Sequence, residues 1–346
     1  MKRNLAWIIL VICSLSMGVA ASDKYFGFAS DKYFGFAYVA NQASNTVTVI
    51  DRATNSVVAT IGVGPTPGGV AVTHDGKEVW VVAENEIDII DTATNKVSAT
   101  LSFSYDLQPL VQPNSVVFSP DGKRAYVVIN EINNLSIGGN GIVLVIDRAS
   151  HVIVKTIVVG EFPWSVAITP NGKHLYVTNS IDGTVSVIDT TTLSVVYTTP
   201  VIAGQTFGLA TTPDGKYVYV MGGNVGGSAA LVMDTATNAI TTTIPMPSAA
   251  WVAITPNGKF AYVTDVDFDT VRVIDTKTKS IAATITGPAC STLCGATGVA
   301  IGPFGRYAYA TSHGDSVYVI NTSSNTVVDT IVVGNGPAGI AVRPLP

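Results

Sequence analysis

Charge is scarce in this chain, and so are cysteine and histidine. Asp, Glu, Lys and Arg make up 12% of the 346 residues, against 47% hydrophobic. That balance is too apolar for a disordered chain and ample for a large core. No long stretch of helical period follows the first residues, while Gly (32) and Pro (17) suit many turns. The expectation is an all-β protein. No nucleophile elbow, haem-attachment motif or phosphate-binding loop occurs, so the usual signatures of those chemistries are missing.

Residues 1–21 read as a signal peptide and not as part of the fold. Lys2 and Arg3 form a positive start, Leu5–Leu15 is a nearly unbroken apolar run, and Val19-Ala20-Ala21 offers small residues for cleavage. The run is short for a bilayer, and Ile12 before Cys13 does not suit a lipoprotein signal. The expectation is an exported protein, periplasmic or at the cell surface, with no membrane attachment after cleavage. Loss of the leader leaves 17 basic against 24 acidic residues, which disfavours bulk attraction to nucleic acid.

Export bears on the cysteines. Cys290 and Cys294 remain, in Cys-Ser-Thr-Leu-Cys. In an oxidising compartment they are expected to pair, which pins a loop by roughly 2 kcal/mol and does not staple the fold. A metal site is the alternative, with no His or third Cys nearby in sequence. Ser-Asp-Lys-Tyr-Phe-Gly-Phe-Ala occurs at 22–29 and again at 30–37. Only the second copy runs into strand-like residues, so 22–32 reads as a surplus segment and 33–346 as the folded unit.

The rest of the chain repeats. Residues 163–189 read as three short strands with turns between them: Ser165–Thr169, the turn Thr-Pro-Asn-Gly-Lys, Leu175–Asn179, then Thr184–Asp189. A fourth strand, Ser194–Thr199, follows. Val-Ile-Asp or a close relative ends at Asp51, Asp91, Asp147, Asp189, Asp234 and Asp275, with Asn321 in the seventh place, at spacings of 40, 56, 42, 45, 41 and 46. A period in the forties with four strands per unit predicts a seven-bladed β-propeller of four-stranded antiparallel blades. Blade one lacks its first strand, and Pro337–Val342 matches it, so the C-terminal strand is expected to close the ring.

The second-strand motifs Tyr176-Val177-Thr178-Asn179, Tyr38-Val39-Ala40-Asn41 and Tyr262-Val263-Thr264-Asp265 resemble the YVTN β-propeller repeat family, over roughly residues 33–343. That family includes exported YncE-like proteins, so the resemblance implies a propeller outside the cytoplasm and, in one branch, association with single-stranded DNA.

Strand alternation sorts the loops onto two faces. The first-to-second and third-to-fourth turns share a monotonous face that collects Lys77, Lys123, Arg124, Lys173, Lys216, Lys259 and Arg306, with Arg52, Arg148 and Lys277; DNA would use this side. The other connections vary and are acidic, with Glu84, Glu86 and Glu131 among them, and binding residues belong on such loops. Trp164, Phe207 and Trp251 fall at or beside the start of the axis-lining strand in blades four, five and six, either as a stacking wall or as wedges between blades. Asp265, Asp267 and Asp269 alternate at strand period, which would attract calcium if they share one side. His313 is the single histidine on the variable face. The repeated Asp of Val-Ile-Asp is expected to cap the turn that follows it. These features predict a monomer that binds a protein, peptide, glycan or small ligand through its acidic face, needing no cofactor. The alternatives are a DNA-associated protein and a metal-dependent hydrolase or lyase.

Overall fold

The computed structural model describes residues 35–103, 111–131, 140–224, 227–267, 269–287, 296–312 and 314–343. The leader, the 22–32 segment, Cys290, Cys294 and His313 lie outside the described residues. So does the side chain of Glu131.

In blade four the expected pattern becomes four antiparallel strands: Pro163–Ile168, His174–Asn179, Thr184–Asp189 and Ser194–Thr198. Six further sheets repeat it, giving seven four-stranded blades. The first strands stand side by side around the axis, and blade seven meets blade one through Pro337–Val342. That strand pairs Ile340 with Val39 and Ala341 with Tyr38 in blade one, so the ring closes as the sequence predicts. Ile340 lies in the core between blades seven and one, beside Ala37, Val39 and Tyr309. Fully burying such a side chain stabilises by roughly 1.5–3 kcal/mol.

The apolar core is a ring of seven clusters, each shared by facing sheets of adjacent blades. Period two explains this, because successive residues of a second strand point to opposite neighbours. Tyr176 packs toward blade five and Val177 toward blade three. The repeat motif then has a physical meaning at each position. The Tyr176 hydroxyl donates to Asn238 Oδ1 of the next blade at 3.2 Å, and Tyr262 does the same to Asn325 at 2.6 Å. The Thr178 hydroxyl donates to the Phe207 carbonyl of the next blade at 2.7 Å. The buried Asn179 amide donates to Thr184 and Ser186, tying its own loop. Tyr and Thr thus fasten blade to blade, and Asn fastens strand to strand.

The regular turns are also bonded locally. In the first turn only glycine takes a positive φ, between +65° and +72° from Gly76 to Gly305. The Asp or Asn that precedes it in the first five of these turns does not share that conformation. Instead its carboxyl or amide oxygen accepts from the Thr hydroxyl and the Lys N–H, as Asn171 does from Thr169 and Lys173. A five-residue connection needs just one left-handed residue, unlike a two-residue hairpin. The repeated Asp caps the third-to-fourth turn as expected: Asp189 Oδ1 accepts from the N–H groups of Thr191 and Thr192 at 2.8 Å. Those hydrogen bonds hold its carboxyl below the usual range.

Candidate functional site

At the axis the first strands begin with a β-bulge. In six blades the register to the second strand slips there, as between Pro163 and Ser165 or Ala296 and Gly298. A bulge splays one residue out of the ladder and re-aims its side chain. The re-aimed residue lines an axial cavity of about 490 Å3 on the variable face. Asn114, Trp164, Phe207 and Thr297 supply side chains, and Gly68, Ala250 and Ala338 supply little more than backbone. One residue from each blade therefore lines the cavity, with bulk on one side and openness on the other.

Register puts Trp251 beside the strand start, one position on from its counterparts in blades four and five. Val252 pairs with Val263 as Val166 pairs with Val177, so Ala250 is the counterpart of Trp164. Trp251 follows one position later, where blades four, five and seven carry Ser165, Gly208 and Gly298. Gly208 makes room for it, since a Cβ there would stand 3.2 Å from the indole Cε3 and 2.6 Å from the Ala250 carbonyl. Trp251 nonetheless reaches the cavity. Trp164, Phe207 and Trp251 are partly buried. Phe207 also packs against the core shared by blades five and six, so it serves both as lining and as part of the contact between blades. Trp164 meets Phe207 edge to face at 6.3 Å, a favoured geometry for aromatic pairs.

Sequence reasoning missed Phe162. It adopts φ +53° and stacks on Trp164 at 6.0 Å with planes 25° apart. Its carbonyl accepts from Ser180 N–H. A bulky residue in that conformation costs about 1–3 kcal/mol and persists only where surroundings enforce it. No sequence signal marks it beyond its place two residues before Trp164.

The acidic candidates scatter. Glu84 Oε2 accepts from the Thr66 hydroxyl at 3.5 Å, away from the cavity lining. Glu86 stands beside Asp88; burial first and that carboxylate second raise its carboxyl above the usual range. Asp88 itself is spent on Gly64 N–H and the Thr100 hydroxyl. Asp265, Asp267 and Asp269 do not share one side, because the second strand of blade six ends at Asp265 and the chain turns. Asp265 is buried and faces Arg272 at 3.6 Å, while Asp269 accepts from the Tyr318 hydroxyl at 2.7 Å. Asp267 lines the cavity and accepts from the Ser248 hydroxyl. Among the described residues no group of three His, Cys, Asp or Glu side chains is placed to hold a metal.

The opposite face is not a basic stripe. Arg52 is fully buried, its guanidinium 5.6 Å over the Tyr309 ring. Arg148 is committed to Asp75 at 2.8 Å and Glu78 at 3.1 Å. Partial burial pushes the Asp75 carboxyl up, but hydrogen bonds from Thr73 and Arg148 outweigh it and bring it down to about 2. The turn-capping aspartates share this face with the lysines, so the signs alternate. Attraction to phosphate chains needs a surplus of positive charge that this arrangement does not concentrate.

The propeller is shared with known structures. The Kuenenia stuttgartiensis hydrazine synthase is 22% identical over 88% of this chain and 94% of that one, with a TM-score of 0.68. A Desulfotomaculum acetoxidans protein described as functionally unknown is 17% identical over 90% of this chain and 100% of its own, with a TM-score of 0.71. The dihydro-heme d1 dehydrogenase NirN, in complex with DHE, is 16% identical over 93% and 77%, with a TM-score of 0.63. At such identities the likeness concerns the fold. No curated protein matches the chain. Residues 30–253 match the SMP-30/Gluconolactonase/LRE-like region, and the chain belongs to that family.

Proposed function

We propose that this protein is an exported propeller, of YncE-like type within its broader class, that binds a small ligand or a short extended peptide in the axial cavity. The observation that carries the reading is the partly exposed arc of Trp164, Phe207 and Trp251 on one side of a space of about 490 Å3. A cavity of that size, apolar on one side with a few polar groups, is the usual form of a small-molecule site. Amides and hydroxyls of Gln42, Asn114 and Ser228 on the lining would orient the ligand.

The family name suggests hydrolysis of a lactone as a second reading. Such a reaction needs a metal-bound or base-activated water. Among the described residues that line the cavity the one carboxylate is Asp267, and it already accepts from Ser248. This geometry favours binding over turnover. A thermal-shift screen of the exported form against sugars, peptides, metals and single-stranded DNA tests the proposal. A hit that Trp164→Ala with Trp251→Ala abolishes supports it, and metal-dependent lactone turnover would replace it.

A further inference from the structure

Resting on the binding reading above, we propose that the ligand is an organic cation of the substituted-ammonium class, carried on the indole faces of Trp164 and Trp251 with Asp267 as its counter-charge. Three independent features converge. The first is chemical: Trp offers the most electron-rich aromatic face to a cation, and substituted ammonium groups are the usual guests of such walls. Among the described residues the cavity lining contains those rings and no Lys, Arg or His.

The second is electrostatic. No connection on this face carries a Lys or Arg in the sequence, while Glu84, Glu161, Asp182, Asp267 and Asp315 do lie in or beside these connections. A cleft edged by one sign of charge focuses its field and raises the local concentration of the opposite ion. A carboxylate-bearing or phosphorylated ligand would meet repulsion from these carboxylates.

The third is that Asp267 is the uncompensated charge. Its neighbour Asp265 is already paired with Arg272 at 3.6 Å, and Asp265 Oδ1 also accepts the Asp267 N–H at 3.2 Å, which orients the turn. The Ser248 hydroxyl holds one Asp267 oxygen. Asp267 is thus fixed at the cavity, exposed, and without a cationic partner among the described residues.

The test titrates the full chain with choline, with 3,3-dimethylbutan-1-ol (the same shape without charge) and with maltose, by tryptophan fluorescence and calorimetry. Choline is expected to bind about tenfold or more tightly than its neutral counterpart. Trp251→Ala should weaken it about tenfold, with Trp251→Phe recovering part of the loss. Asp267→Asn should weaken it about threefold and flatten its salt dependence. Circular dichroism melts confirm that each variant is folded. Tighter binding of the alcohol or of maltose at the tryptophans would overturn the cation assignment and leave the cavity as a binding site. Choline binding indifferent to both tryptophans, or no binding in any arm, would overturn the assignment as well, and no binding in any arm would also count against the cavity.

Discussion

At one end of the propeller the turns repeat almost residue for residue, and the repeated Asp or Asn of each blade accepts from the backbone of the turn that follows it. Asp91 Oδ1, for instance, accepts from Ala93 N–H, Thr94 N–H and the Thr94 hydroxyl. At the other end the blades present residues as unlike as Gly68, Asn114, Trp164 and Thr297 to the axis, and the rings there remain partly exposed. The same strands connect both ends. The difference is that one local hydrogen-bond pattern recurs in the turns of the first end, as at Asp91 and Asp189, whereas the lining of the second changes from blade to blade. Regularity here marks the scaffold, and departure from regularity marks the site.

That contrast breaks most severely if the ring cannot close. Removing residues 337–346 strips blade one of its inner strand and Ile340 from its core. Loss of the cooperative thermal transition is expected, and a truncated protein that melts like the full chain would contradict ring closure. Alkali is the next largest perturbation. Burial raises Tyr38, Tyr176, Tyr219, Tyr262 and Tyr318 to about 12 from the ordinary 10.0. A raised value means that these hydroxyls contribute stability in full below pH 10, and that it is lost as the pH climbs toward 12. Absorbance at 295 nm and circular dichroism should therefore change together, whereas tyrosines titrating in a folded protein would separate the two signals.

The two ends should then respond oppositely to side-chain removal. Trp164→Ala with Trp251→Ala should reduce ligand affinity at least about tenfold, and because neither ring belongs to a buried core cluster the melting temperature should move less than the affinity. A large fall in stability would return these residues to the core. Asp189→Ala is the mirror experiment. It should lower the melting temperature modestly, as the loss of a turn cap does, and leave affinity unchanged. An effect on binding would link the faces in a way the structure gives no path for.

Blade four shows why so much of the fold was legible. Its strands, its Thr-Pro-Asn-Gly-Lys turn and the Asp189 cap are encoded by neighbours within about five residues, and strand period alone decides which blade each side chain faces. The site was legible only by location. Trp164 and Phe207 stand where the strand starts placed them. Trp251 is displaced by one because the register after a bulge depends on the partner strand, here Val252 against Val263. Phe162 escaped notice because its conformation is imposed by what surrounds it.

Charge was the least readable property. Counting lysines on the turns suggested a basic face, yet Arg52 is buried against Tyr309 from the neighbouring blade and Arg148 is held by Asp75, some seventy residues away in sequence. The alternation of Asp265, Asp267 and Asp269 suggested a shared side, yet the chain turns after Asp265 and gives each a different neighbour. The sequence by itself determined seven blades, their turns and the closing strand, since period and turn chemistry are local. Tertiary structure decided which rings face the cavity and which charges remain unpaired, because side-chain direction at a bulge and ion pairing between blades depend on partners that only folding brings near.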